Sequence, residues 1–205
     1  MFEKLQSIDA ALLLFFNHLN NPVLDFIFFW LSNKWIWIPF YAFLTWFLYK
    51  KYPYRLLSVL VFIGLMITLS DQISSSVIKN SVMRLRPCHD PMIGSEVHIV
   101  NGYCGGMYGF VSSHASNVFA LTTFLIYFFR GRHHKLRTIL IVWASVVSFS
   151  RIYLGAHYPG DVICGALLGA MIGVATAKTY RYYDANFALS KKRASHNHSS
   201  NSKEL

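Results

Sequence analysis

Charged residues are scarce in this chain of 205 residues, at 14% of the composition. A soluble domain of this size carries about a quarter. The hydrophobic residues, at 54%, fall into long blocks, which indicates a bilayer protein and argues against a soluble globular domain. The chain also lacks the features of a cleavable signal peptide. Glu3 and Lys4 lie at its start, and no small-residue cleavage site follows the first apolar run.

Five apolar stretches are predicted to span the membrane once their flanks are included: 35–49, 56–78, 115–129, 136–154 and 162–179. They indicate an all-α, polytopic membrane helix bundle, with a single domain over residues 1–185. The N-terminal stretches 8–16 and 23–31 are apolar but interrupted by polar residues such as Asn17 and Asp25. They form either one broken sixth span or an interfacial hairpin, which we favour. The polar segment 186–205 is predicted to be a disordered cytoplasmic tail.

Basic residues give a net charge of +10, and most of them lie in three clusters. If the five spans alternate, all three clusters fall on one side of the membrane, which the positive-inside rule makes cytoplasmic. We therefore expect a bacterial-type inner membrane protein with a cytoplasmic C-terminus, and no nucleic-acid partner. The clusters are Lys50, Lys51 and Arg55; Arg130, Arg132, Lys135 and Arg137; and Lys178, Arg181, Lys191, Lys192, Arg193 and Lys203.

Cysteine is also rare, and Cys88, Cys104 and Cys164 form no cluster of the metal-binding type. In the orientation above, the segment between Cys88 and Cys104 lies in an oxidising compartment. A disulfide between them is therefore predicted. Two unpaired thiols are the alternative that the sequence leaves open.

Polar residues that a bilayer disfavours gather at the outer ends of the predicted spans. Ionisable side chains at membrane depth are costly and mark functional sites by default. Two histidines among three cations and two carboxylates (Asp71 and Asp161) fit an anion site with acid–base chemistry. For Arg84, a snorkelling or headgroup contact is favoured instead. The clustered residues are Lys79, Arg86, Ser112, Ser113, His114, Arg151, His157 and Asp161.

Three motifs follow in order: Lys79-x6-Arg86-Pro87, Val111-Ser112-Ser113-His114 and Ser150-Arg151-x5-His157-x3-Asp161. Together they resemble the signature of the type 2 phosphatidic acid phosphatase (PAP2) family, whose helical core is shared with vanadium haloperoxidases. The family's second motif usually reads Pro-Ser-Gly-His. Because serine avoids the positive φ that glycine accepts, Ser113 is expected to alter the local geometry without loss of activity.

The resemblance implies a role for each motif residue. His157 would attack phosphorus to form a phosphohistidine, Asp161 would orient its ring, and His114 would protonate the leaving oxygen. A cationic group with two hydroxyls would hold the phosphate, and neither a metal nor another cofactor is expected. The phosphate-binding residues would be Lys79, Arg86, Arg151, Ser112 and Ser113.

The function indicated is a membrane lipid phosphatase acting on the outer face of the membrane. Three substrate types fit: undecaprenyl diphosphate, phosphatidic acid or phosphatidylglycerophosphate, and the phosphates of lipid A. A non-catalytic lipid-binding or transport protein is one alternative, opposed by the presence of both histidines and Asp161. A haloperoxidase is another, opposed by the five predicted spans. The expected partners are the lipid phosphate and the bilayer, and the oligomeric state is left open.

Overall fold

The structure, a computed structural model, describes residues 2–102, 104–129 and 133–201, and its described part contains no β-strand. Short 3-10 turns and one π-helical turn, Ile73–Ile78, connect the α-helices. The predicted all-α architecture is confirmed. The helices are α1 (Phe2–Asn17), α2 (Pro22–Ser32), α3 (Ile38–Lys51), α4 (Leu56–Gln72), α5 (Lys79–Val82), α6 (Ser113–Phe129), α7 (His134–Tyr153) and α8 (Pro159–Asn201).

Three helical stretches in the described residues are long and apolar enough to cross a bilayer: Pro53–Val82, His134–Tyr153 and Pro159–Phe187. The first of them joins α4, the π turn and α5 into one stretch. Helices α1 and α2 meet at a bend of 116°, and as a pair they would add a fourth, broken span. Helices α3 and α6, with 14 and 17 residues, are shorter than the roughly 20 residues of a full span. Five or six spans therefore stay a prediction.

Close packing of α6 on α8 forms the centre of the bundle. Gly165, Gly169 and Gly173 repeat every fourth residue along one face of α8. A Cβ atom at any of them would overlap a backbone carbonyl, that of Ser112 just before α6 or those of Ser116 and Ala120 within it. Small residues at this spacing let two membrane helices approach closely. The contact fixes the start of α6 against the start of α8, where the site residues lie.

The N-terminal helices are tied to the same end of the bundle by buried polar contacts. The amide of Asn17, which is fully buried, donates to the carbonyls of His98 (2.9 Å) and Tyr153 (2.7 Å). In α2, Asp25 binds the ring of His98 and accepts from the Tyr153 hydroxyl. Buried polar groups are stabilised by such partners. The polar residues that interrupt the two N-terminal stretches are therefore structural contacts with the loop that precedes α6.

The described residues of the basic clusters lie at the opposite end of the bundle. Arg55, before α4, pairs with Asp184 of α8 at 2.9 Å, and Arg181 donates to the carbonyl of Tyr127 near the end of α6. Arg130, Arg132 and Lys203 lie outside the described residues. Helix α8 is described as far as Asn201, and the disordered tail over 186–205 stays a prediction.

Candidate active site

The predicted site residues come from four helix ends that meet at one end of the bundle. The helices alternate in direction. The C-terminal ends of α5 and α7 therefore lie beside the N-terminal ends of α6 and α8. Two predicted residues, Ser112 and Asp161, are completely buried behind the cavity wall. The other six line one cavity: Lys79, Arg86, Ser113, His114, Arg151 and His157.

His157 and Asp161 form a buried pair, with side chains 1% and 0% exposed. Nδ1 of His157 lies 3.6 Å from Oδ2 of Asp161, a separation that ligand binding can shorten. The same carboxylate oxygen accepts from the backbone N–H of Tyr158 at 3.1 Å. Gly109 lies against this oxygen, and a Cβ there would come within 2.9 Å of it. These contacts hold the carboxylate in place beside the His157 ring.

The other ring nitrogen of His157 faces the cations. Nε2 lies 3.3 Å from a guanidinium nitrogen of Arg86. Because a guanidinium can only donate, Nε2 accepts, and the ring proton is assigned to Nδ1 on the side of Asp161. Burial, reinforced by Arg86 and Arg151, holds the pKa of His157 well below its usual range. The imidazole is therefore neutral at pH 7, with the Nε2 lone pair directed at the cationic group.

Three cations surround the polar end of the cavity. Arg86 and Arg151 are 8% and 7% exposed, and Lys79 lies near enough to both for mutual repulsion. Arg86 donates to the carbonyl of Ala156 at 3.1 Å, and Arg151 donates to the hydroxyl of Ser32. Concentrated positive charge of this kind favours an anion with several oxygens, such as phosphate.

Helix α6 begins at this cationic group, and its first N–H groups add positive potential there. The Ser112 hydroxyl accepts from the N–H of Ala115 at 3.4 Å, while Lys79 donates to the Ser113 hydroxyl at 3.2 Å. Ser113 is the first residue of α6, and its φ is not positive. Serine in place of the family's usual glycine is therefore accommodated without backbone strain.

Arg84 corrects the sequence interpretation. Its guanidinium binds Asp161 and Asp9, each at 2.7 Å, instead of a lipid headgroup. The reason is that Met83, in a left-handed conformation at φ 51°, ends α5 and turns the chain before Arg84. Asp9 and Ser32 were also missed, because both reach the site through contacts distant in sequence. In the sequence, each is marked only as a polar residue in or beside an apolar stretch.

Cys88 and Cys104 are joined in the structure, with Cα atoms 6.2 Å apart, inside the usual range for a disulfide. The loop that carries these two cysteines passes close to the site. The carbonyl of Cys104 accepts from Arg86 at 3.4 Å, and Gly105, at φ +93°, packs against the same guanidinium. Cys164 is a free thiol.

The cavity has a volume of about 1170 Å³ and continues from the cations into the bundle. It follows α6 from Ser113 to Leu125, about 18 Å at 1.5 Å per residue. That length exceeds half of the roughly 30 Å hydrocarbon thickness of a bilayer. Beyond the polar end its lining is mainly apolar and includes Leu44, Ile63, Leu121, Leu125, Trp143 and Val147.

Comparison with known proteins agrees with this geometry. The model of the PAP2 superfamily matches residues 55–184. A lipid A 4'-phosphatase of Bacteroides thetaiotaomicron is 42% identical, over 84% of this chain and 77% of the relative. One from Porphyromonas gingivalis is 36% identical, over 88% and 76%.

The fold matches the crystal structure of a PAP2-type phosphatidylglycerolphosphate phosphatase from Bacillus subtilis. The TM-score is 0.62 at 22% identity, covering 89% of this chain and 87% of that one. The family match and the two relatives confirm the family that the three motifs resemble. The chain belongs to the PAP2 superfamily, as an integral membrane lipid phosphatase.

Proposed function

We propose that this protein removes the 4'-phosphate of lipid A through a phosphohistidine on His157, at the outer face of the inner membrane. The observation that carries the chemistry is the buried His157–Asp161 pair, whose Nε2 faces Lys79, Arg86 and Arg151. The substrate is inferred from the two lipid A 4'-phosphatases that resemble most of the chain.

The first step is attack of Nε2 on phosphorus. The N–P bond forms as the bond from phosphorus to the sugar oxygen breaks, and the electron pair of that bond leaves with the oxygen. Burial and the neighbouring cations hold the pKa of His114 well below its usual range, and the negative charge of a bound phosphate opposes that shift. His114, protonated beside the phosphate, then donates a proton to this oxygen and releases the dephosphorylated lipid. Asp161 stabilises the positive charge that develops on the His157 ring.

The second step returns the enzyme to its starting state. Neutral His114 takes a proton from water as the water oxygen attacks phosphorus and the N–P bond breaks. Inorganic phosphate is released, and the pair of the broken bond stays on Nε2. In both steps the cations and the start of α6 stabilise negative charge on the phosphoryl oxygens, where it is greatest in the transition state.

The apolar part of the cavity supports a lipid substrate. A phosphate held by Arg86 and Arg151 would place the attached lipid at the opening of the apolar channel between α4, α6 and α7. An acyl chain in this channel contacts Leu121 and Leu125 and buries apolar surface, at about 25 cal/mol per Å². A water-soluble phosphate ester would gain none of this binding.

Phosphate release from a defined lipid panel tests this function. We expect kcat/KM for lipid A carrying a 4'-phosphate to exceed that for 1-monophosphorylated lipid A, phosphatidylglycerophosphate and undecaprenyl diphosphate by at least about tenfold. A His157→Ala preparation controls for contaminating phosphatases. Faster release from another lipid would overturn the substrate assignment, and no release from any lipid would overturn the function.

The orientation of the site is part of the proposal. Met92, 82% exposed, lies in the loop at the site end, and Tyr54, 98% exposed, lies at the basic end. In a Cys164→Ala background, we expect a membrane-impermeant maleimide to label Met92→Cys in intact spheroplasts. Tyr54→Cys should be labelled only after permeabilisation. The reverse pattern would place the site on the cytoplasmic side and contradict the proposal.

A further inference from the structure

Arg84 connects two carboxylates that belong to different helices. One guanidinium nitrogen lies 2.7 Å from Oδ1 of Asp161, and another lies 2.7 Å from Oδ2 of Asp9. The side chains of Arg84, Asp9 and Asp161 are 22%, 14% and 0% exposed. The guanidinium also lies over the ring of Tyr158, 4.0 Å from its centre, which limits its rotation. Arg84 is therefore held in one orientation.

The two oxygens of Asp161 have separate tasks in this arrangement. Oδ2 faces Nδ1 of His157 and accepts from the N–H of Tyr158, while Oδ1 is held by Arg84. A fully buried carboxylate needs a compensating charge or hydrogen bonds to stay ionised and fixed. Without Arg84, Asp161 would more readily rotate or bind a proton. It would then no longer hold the Nδ1 proton of His157.

Asp9 joins this arrangement to the N-terminal helix. Its Oδ1 accepts from the N–H of Gly160 at 2.7 Å, in the first turn of α8, where backbone N–H groups lack partners within the helix. A Cβ at residue 160 would come within 2.8 Å of Oδ2 of Asp9, so the close approach requires glycine. Helix α1 precedes residue 55, where the family match begins.

We propose that Arg84, held by Asp9, is a positioning residue for His157 and acts through Asp161. Helix α1 thereby becomes part of the active centre, although it lies outside the segment that defines the family. This inference rests on the proposed role of His157 as nucleophile. It assigns Arg84 no contact with the phosphate, which distinguishes it from Lys79 and Arg86.

Steady-state kinetics of single variants on the best lipid of the panel test the inference. We expect Arg84→Ala to lower kcat about 10–100-fold, the range seen when an outer-shell partner that orients a functional histidine is removed. KM should stay within about twofold, since the phosphate-binding cations remain. Arg84→Lys should recover part of kcat, because lysine keeps the positive charge but cannot bind both carboxylates with one planar guanidinium. Asp9→Asn should lower kcat less than Arg84→Ala. Glu3→Gln, an exposed acid on the same helix, should match the wild type.

Combining Arg84→Ala with Asp161→Asn separates positioning from a general structural role. If Arg84 acts through Asp161, the double variant loses no more kcat than Asp161→Asn alone. The inference would be overturned if the double variant lost kcat by the product of the two single losses, or if Arg84→Ala had the wild-type kcat. Either result would leave the proposed function intact. A wild-type enzyme inactive on every lipid would instead reject that function. If Arg84→Ala fails to fold, Asp9→Asn replaces it in the comparison with Asp161→Asn. Asparagine still accepts from the N–H of Gly160 but removes the negative charge that faces Arg84.

Discussion

Replacing His157 with alanine is expected to lower kcat by about 10⁴–10⁶-fold, as for other enzymes that lose their nucleophile. Binding of inorganic phosphate should survive, because Lys79, Arg86 and Arg151 still provide the cationic group. Two measurements check this: lipid phosphate release, and the rise in Tm that saturating phosphate produces in detergent. The variant should retain the rise in Tm while losing turnover.

Arg151→Ala is the matched comparison. It removes charge that, in the proposed site, contacts phosphate in both the ground and the transition state, so turnover and the phosphate-induced rise in Tm should both fall. A His157→Ala enzyme that retains more than about 1% of wild-type kcat would contradict the phosphohistidine mechanism, given the expected loss. Loss of phosphate binding in the same variant would mean that His157 binds the ligand instead of attacking it.

The helices and the cationic group could be predicted because both depend on local patterns. Apolar blocks mark helices, and alternating directions bring the end of one helix beside the start of the next. Motif residues in the end turns, such as Lys79, His114 and Arg151, must then share one end of the bundle. The cavity confirms that these three residues lie together. Their chemical roles stay predictions.

Arg84 could not be placed from sequence, because its contacts obey no local pattern. It meets Asp161 and Asp9, which lie 77 and 75 residues away along the chain. An arginine beside a membrane span is also a common headgroup contact, which made that interpretation reasonable. The N-terminal helices were ambiguous for the same reason. Asn17 and Asp25 weaken the apolar pattern, yet both are satisfied by partners in the loop before α6 and at the end of α7.

Leaving-group chemistry makes His114 the most informative residue for the substrate class. A sugar or lipid alcohol that leaves from a phosphate monoester departs as a very basic alkoxide unless it receives a proton. A lipid phosphate that leaves from a diphosphate is already a stable anion and gains little from one. His114 lines the cavity beside the cations, at the first turn of α6, and the proposed mechanism has it donate to the leaving oxygen.

His114→Ala is therefore expected to lower the single-turnover rate of lipid release from monophosphates by about 10²–10⁴-fold, the usual contribution of general acid catalysis. The loss for undecaprenyl diphosphate should be much smaller, because its leaving group needs no proton. The comparison uses single-turnover rates at saturating enzyme, because steady-state kcat also contains hydrolysis of the phosphohistidine, in which His114 acts on water whichever lipid was bound. Equal losses of the single-turnover rate on the two substrate types would mean that His114 binds the phosphoryl group and that another group, or water, protonates the leaving oxygen.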